Sequence, residues 1–116
     1  MNVKKLIFEG EGVKLDFKKK ITSCEKIART MVAFANNKGG RLLIGVDDDG
    51  SIRGVKSEDE ERYMITKAAQ LYTNPPLDPI FEEVYIDDKV VLVVDIDEPP
   101  DEERSLHLNN LEEEVD

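Results

Sequence analysis

Two adjacent glycines, Gly39 and Gly40, divide a helical pattern from a strand pattern, and this switch limits the folds open to the chain more than any other feature. Upstream, Ile27, Ala28, Met31, Phe34 and Ala35 recur at the intervals of one buried helix face. Thr22 and Glu25 stand three residues apart before them, a capping-box spacing. The pattern predicts a helix of about four turns that stops near residues 36–38, with Gly39 and Gly40 supplying the positive-φ residues that end it. Downstream, residues 41–46 are a short apolar run, Asp47, Asp48, Asp49 and Gly50 have the composition of a tight turn, and residues 51–55 return. That predicts a β-hairpin directly after the helix.

The rest of the chain extends this alternation. Val13, Leu15 and Phe17 alternate with Lys14, Asp16 and Lys18, the period of a strand with one buried and one wet face. Ser57 and Glu60 repeat the capping-box spacing, and Tyr63, Met64, Ala68, Leu71 and Tyr72 continue as a second helix that Asn74, Pro75 and Pro76 end. Residues 80–86 and 90–96 flank Asp87, Asp88 and Lys89 as a second hairpin. The expected order is strand, strand, helix, strand, strand, helix, strand, strand. Strand runs broken by two helices favour an α+β fold, with the helices packed on a mostly antiparallel sheet. Residues 1–96 are expected to form this domain. Residues 97–116, with nine acids against Arg104, are expected to be a disordered acidic tail. Leu106, Leu108, Leu111 and Val115 offer the alternative of a short docking segment, and His107 within it has no predicted catalytic partner.

Charge is distributed unevenly. The net charge is -10, yet residues 1–56 hold twelve Lys or Arg against seven Asp or Glu, whereas residues 57–116 hold four against nineteen. The basic half suits a phosphate backbone and the acidic half suits solvation or a protein partner; the plainer alternative is that both are ordinary solvated faces. No apolar run approaches the roughly 20 residues of a membrane helix, the first residues have no secretory pattern, and a cytoplasmic, soluble protein is expected. The one cysteine, Cys24, has no second Cys or clustered His for a disulfide or a zinc site and reads as a core thiol.

The stretch from Glu11 to Gly50 resembles a known family. Glu11, Gly12, Val13, Lys14, Leu15, Asp16, Phe17 and Lys18 are similar to a pattern in which an acid precedes a strand ending in acid, Phe, Lys. Ala33-Phe34-Ala35-Asn36, the paired glycines, Ile44-Gly45-Val46 and the acidic turn resemble the signature of the Schlafen AlbA-type domain, and Ile52-Arg53-Gly54-Val55 continue it. The resemblance covers about residues 5–96. Gly12 stands where the family often has Ser, and Asp16 where it often has Glu.

This resemblance implies a DNA-binding, regulatory module. Its expected nucleic-acid contacts are Lys14, Lys18, Lys19, Lys20, Asn36, Asn37, Lys38, Gly39, Gly40 and Arg41, the cations meeting phosphate and the glycines letting backbone N–H groups approach an anion. The alternative for the glycines is that they only make the turn. In eukaryotic Schlafen proteins a three-carboxylate site for RNA cleavage matches Glu11, Asp16 and Asp48, so the resemblance also implies a nuclease in which these three hold Mg or Mn. Without that activity no cofactor is expected. A protein-interaction domain or a homo-oligomer is the third possibility. Two motifs are excluded: the triple Asp lacks the alternating acids and central Gly of an EF-hand, and Lys38-Gly39-Gly40 lacks the Gly-Lys-Ser/Thr of a P-loop.

Overall fold

Serine hydroxyls start both long helices of the computed structural model, which describes residues 1–99 and 107–108. Ser57 Oγ accepts from the Glu60 amide at 3.3 Å and opens helix α3 (Glu58–Leu71), as its spacing predicts. Helix α2 (Cys24–Ala35) starts one residue later than expected. Ser23, not Thr22, is its cap, accepting from the Lys26 amide at 3.2 Å. At the other end of α2 the positive φ falls on Lys38 (68°) and Gly39 (91°), and Gly40 opens strand β2 (Gly40–Ile44).

Four further elements complete the main body: helix α1 (Val3–Glu9) and strands β1 (Leu15–Lys18), β4 (Ile80–Ile86) and β5 (Lys89–Ile96), with the short β3 (Thr73–Asn74) between α3 and β4. The first strand of the expected order is therefore a helix, so the sheet carries three helices and not two. Asn2 caps α1 by accepting from the Lys5 amide, and Val3, Leu6 and Ile7 turn one face toward the sheet. That i, i+3, i+4 spacing is too short to stand out as a pattern in the sequence.

The four-stranded sheet runs β1-β2-β5-β4, parallel between β1 and β2 and antiparallel elsewhere, so the fold is α+β as expected. The first predicted hairpin is not formed as such. The Asp47–Gly50 turn closes, with the Gly50 amide bonded to Asp47 O at 2.9 Å, but the return pairs only with residues 45–47, through the Val46–Ile52 bridge and the Asp47 amide to Ser51 O (2.9 Å) and Arg53 amide to Gly45 O (2.8 Å) bonds, and does not extend along β2. The reason is occupancy: β2 lies between β1 and β5 and has no free edge for residues 51–55. The Val55 amide instead reaches Val90 O at 2.8 Å. The second hairpin forms as predicted, with β4 and β5 paired from Ile80–Asp95 to Ile86–Lys89.

Both faces of the sheet are covered. Leu42, Ile44, Leu92 and Val94 pack under α2 and α3 against Met31, Phe34 and Ile65, while Leu43, Val91 and Val93 pack with Leu15, Phe17 and Val3 on the other face. This explains the uninterrupted apolar run of β5, since a strand buried on both sides loses the alternation of a half-wet one. Truncating a side chain as enclosed as Met31 to Ala costs about 2–5 kcal/mol. Strand β6 (His107–Leu108) pairs antiparallel with β3; of the expected acidic tail, residues 100–106 and 109–116 lie outside the described residues. Among the described residues no helix is long and apolar enough to cross a membrane.

Candidate nucleic-acid interface

The cations expected to meet nucleic acid separate into two groups at opposite ends of β1. Lys14 precedes the strand and Lys18 ends it, roughly 13 Å apart at the rise of extended chain.

At the Lys14 end, Lys14, Lys38, Gly39, Gly40 and Arg41 border a cavity of about 490 Å³. Four acids border it too: Glu9, Asp95, Asp97 and Glu98. The β2–β5 register sets Arg41 opposite Asp95, and Arg41 Nε meets Asp95 Oδ1 at 2.6 Å. Three cations against four acids leave no net positive field here. Nor is the Gly39 amide open to an anion, because it donates to Phe34 O at 2.7 Å. A Cβ on Gly39 would stand 2.7 Å from Ile96 O, and one on Gly40 would stand 2.5 Å from the Phe34 ring. Close packing at the turn therefore accounts for both glycines. Asn36 is the helix cap, its amide donating to Val32 O at 2.9 Å, and Asn37 is exposed beside it.

The Lys18 end is built differently. Lys18, Lys20 and Lys26 border a cleft of about 190 Å³ together with the hydroxyl residues Thr22, Ser23 and Thr30, and no acid borders it. An adjoining cleft of about 460 Å³ adds Lys19, Arg53 and Lys56 and brings in Glu60 and Glu61. Six cations thus face two acids. Lys18 is paired with Asp16 at 3.0 Å and Arg53 with Asp47 at 2.6 Å, whereas Lys19, Lys20, Lys26 and Lys56 form no ion pair among the described residues. Glu61 is buried and its Oε2 accepts from the Ile21 amide at 3.0 Å; burial pushes its carboxyl above the usual carboxylate range, against the pull of that amide and of Lys20. Lys26, Arg53 and Lys56 were missed by motif reasoning. Their only signal in the sequence is the basic bias of residues 1–56.

Glu11, Asp16 and Asp48 do come near one another. Glu11 Oε2 accepts from the Phe17 amide at 3.1 Å, at the free edge of β1. A hydrogen bond with the Asp16 carboxyl raises the Glu11 carboxyl above its ordinary range, the Phe17 amide opposes the rise, and slight burial and the charges of Asp16 and Asp48 add to it. These carboxylates nevertheless do not compose a metal-holding set: among the described residues no group of three or more His, Cys, Asp and Glu is placed to grip an ion. The two neighbours of Asp48 in the triple Asp serve the turn, with Asp49 Oδ1 accepting from the Ser51 amide at 2.8 Å and Asp47 engaged by Arg53. Cys24 is half-buried against the helix-side core, its thiol directed at Met64 O.

The profile of the family described as Schlafen, AlbA_2 matches residues 11–113, nearly the whole chain. The chain belongs to the Schlafen AlbA_2 family. Solved structures repeat the fold of this AlbA_2 domain. The N-terminal domain of a protein related to the ATP-dependent DNA helicase RecG, from Nitrosomonas europaea, superposes with a TM-score of 0.73 at 21% identity, covering 94% of this chain and 81% of that one. The DIP2311 protein from Corynebacterium diphtheriae superposes with a TM-score of 0.52 at 19% identity, covering 91% of this chain and 23% of that one. The AlbA_2 domain here thus spans about a quarter of the DIP2311 chain.

Proposed function

We propose that this AlbA_2 domain is a nucleic-acid-binding module of the cytoplasm, regulatory in role, which grips the sugar-phosphate backbone with Lys18, Lys19, Lys20, Lys26, Arg53 and Lys56. The observation that carries the reading is the cluster of six cations around the starts of α2 and α3, of which Lys19, Lys20, Lys26 and Lys56 form no ion pair among the described residues, in a protein whose net charge is -10. An acidic protein meets a polyanion only where its local field is reversed. Membership of the AlbA_2 family and the likeness to a domain of a helicase-related protein support the same reading. Lys14, Lys38 and Arg41, balanced by acids, contribute little. Backbone contacts carry no base code, so binding is weakly sequence-selective and strongly salt-dependent.

The test is fluorescence anisotropy with labelled DNA and RNA. With about four phosphate contacts, affinity drops roughly 100-fold between 50 and 200 mM salt. Affinity that does not respond to salt, or no binding at low salt, sinks the reading in favour of a protein partner.

A second reading is nuclease activity, favoured by the convergence of Glu11, Asp16 and Asp48. Their present geometry does not fit a bound metal, and no metal-borne step is derived from it. Running the titration endpoints on a gel with Mg or Mn decides between the two. Under the nuclease reading Asp48→Asn abolishes cleavage and keeps binding; under the binding reading the probe stays intact throughout.

A further inference from the structure

A third cleft adjoins the basic ones and has the opposite character. It measures about 400 Å³, and Ile21, Tyr63 and Met64 give it an apolar lining. Lys20 borders this cleft as well as both basic clefts, so the three meet at one side chain. Tyr63 is 65% exposed on α3, a helix whose Ile65, Ala68 and Ala69 are fully enclosed. Its ring therefore adds little to the core and stands in the open beside a cationic groove. Asp59 and Glu60 border the same cleft, and Glu61, also at its border, is held by the Ile21 amide.

We infer that this cleft receives an unstacked base, with the Tyr63 ring as its stacking surface, and that the preferred ligand of the domain is single-stranded nucleic acid. The inference rests on the nucleic-acid reading above and adds the class of ligand. Charge sorts the two parts of a nucleotide. Asp59 and Glu60 repel a phosphate but not a neutral base, whereas the neighbouring cleft of Lys18, Lys20 and Lys26 contains no acid and attracts the phosphate. Lys20, at the junction, is placed to hold the phosphate between them. Stacking on an aromatic face beside a cationic track is sequence-tolerant, because every base has such a face. A paired base cannot enter such a cleft without leaving its duplex, which costs stacking and pairing.

The test compares the intact protein with Tyr63→Ala and Tyr63→Phe in anisotropy titrations against labelled oligo-dT, oligo-U and a duplex of equal length. Circular dichroism checks that each variant is folded, as substitution at an exposed site allows. The expected result is a wild-type preference for one or both single strands, a roughly 5- to 150-fold weaker single-strand affinity in Tyr63→Ala, unchanged duplex affinity, and near-complete retention in Tyr63→Phe. Oligo-dT and oligo-U separate DNA from RNA as the source of the strand. Equal wild-type affinity for single strand and duplex, or a Tyr63→Ala effect that is absent or the same on both, overturns the inference and leaves the nucleic-acid reading standing. If the wild type binds none of the three probes even at low salt, both fall together, and Tyr63 belongs to a protein-docking surface.

Discussion

Lys14 and Lys18 stand at the two ends of one four-residue strand, yet they belong to different electrostatic environments. Around Lys14 three of the four counter-charges arrive from far along the chain: Asp95, 54 residues from Arg41, is set against it by strand register, and Asp97 and Glu98 follow. Around Lys18 the added charges are mostly cations, brought by the start of α2 and by the loop before α3, with Glu60 and Glu61 the acids beside them. A run of lysines is therefore no measure of a binding surface. What decides is which distant segments the sheet order brings beside it.

The largest test of that difference is to remove each group in turn. Replacing Lys19, Lys20 and Lys56 together with Ala is expected to weaken nucleic-acid affinity on the order of 100-fold at 0.1 M salt and to flatten the salt slope by roughly three. Replacing Lys14 and Lys38 is expected to leave both nearly unchanged. Equal losses from the two sets would erase the distinction between the ends. Next in size is Gly39→Ala, which puts a Cβ against Ile96 O at a positive φ and is expected to cost about 2 kcal/mol or more in urea unfolding. An unchanged midpoint would mean that the turn at the Lys14 end relaxes freely.

Glu61 probes the Lys18 end. Glu61→Ala strands the buried Ile21 amide and is expected to cost about 1–3 kcal/mol. Glu61→Gln retains an acceptor without the charge. Since the folded-state carboxyl titrates above its unfolded value, the stability that protonation lends is complete below the unfolded pKa and is lost as pH rises through the folded one. The advantage of Glu61→Gln over wild type is therefore expected to grow from acid toward neutral pH, and thermal melts showing it shrink would contradict the burial argument. The smallest effect is expected from Asp97→Asn combined with Glu98→Gln. Unmasking Lys14, Lys38 and Arg41 should raise nucleic-acid affinity slightly, more at low salt than at high.

How much of this was legible in the sequence depended on whether the deciding contact was local. Ser57 and the β4–β5 hairpin could be read because a cap and a tight turn are written within a few residues. The helix-to-strand switch could be read too, although of the two positive φ angles only that of Gly39 fell as expected and the other fell on Lys38 in place of Gly40. The hairpin predicted for residues 41–55 forms only at its tip, because β2 pairs with the longer apolar edge of β5, a choice between partners that no local pattern contains. The first helix was lost because seven residues hold too few turns to declare a period. At the candidate site, Lys18, Lys19 and Lys20 announced themselves by adjacency. The acids that cancel Lys14 and Arg41, and the Tyr63 ring beside Lys20, depend on pairings across the fold.

The carboxylate that accepts the Phe17 amide has one more consequence. Glu11 stands where the carbonyl of a fifth strand would have to dock, so that border of the sheet is occupied by the chain's own side chain. At the opposite border β4 pairs only with β5 among the described residues, and its outer amides meet no such plug. Among the described residues the sheet is thus one-sided with respect to growth: a strand donated by another molecule finds a blocked door at β1 and no such block at β4.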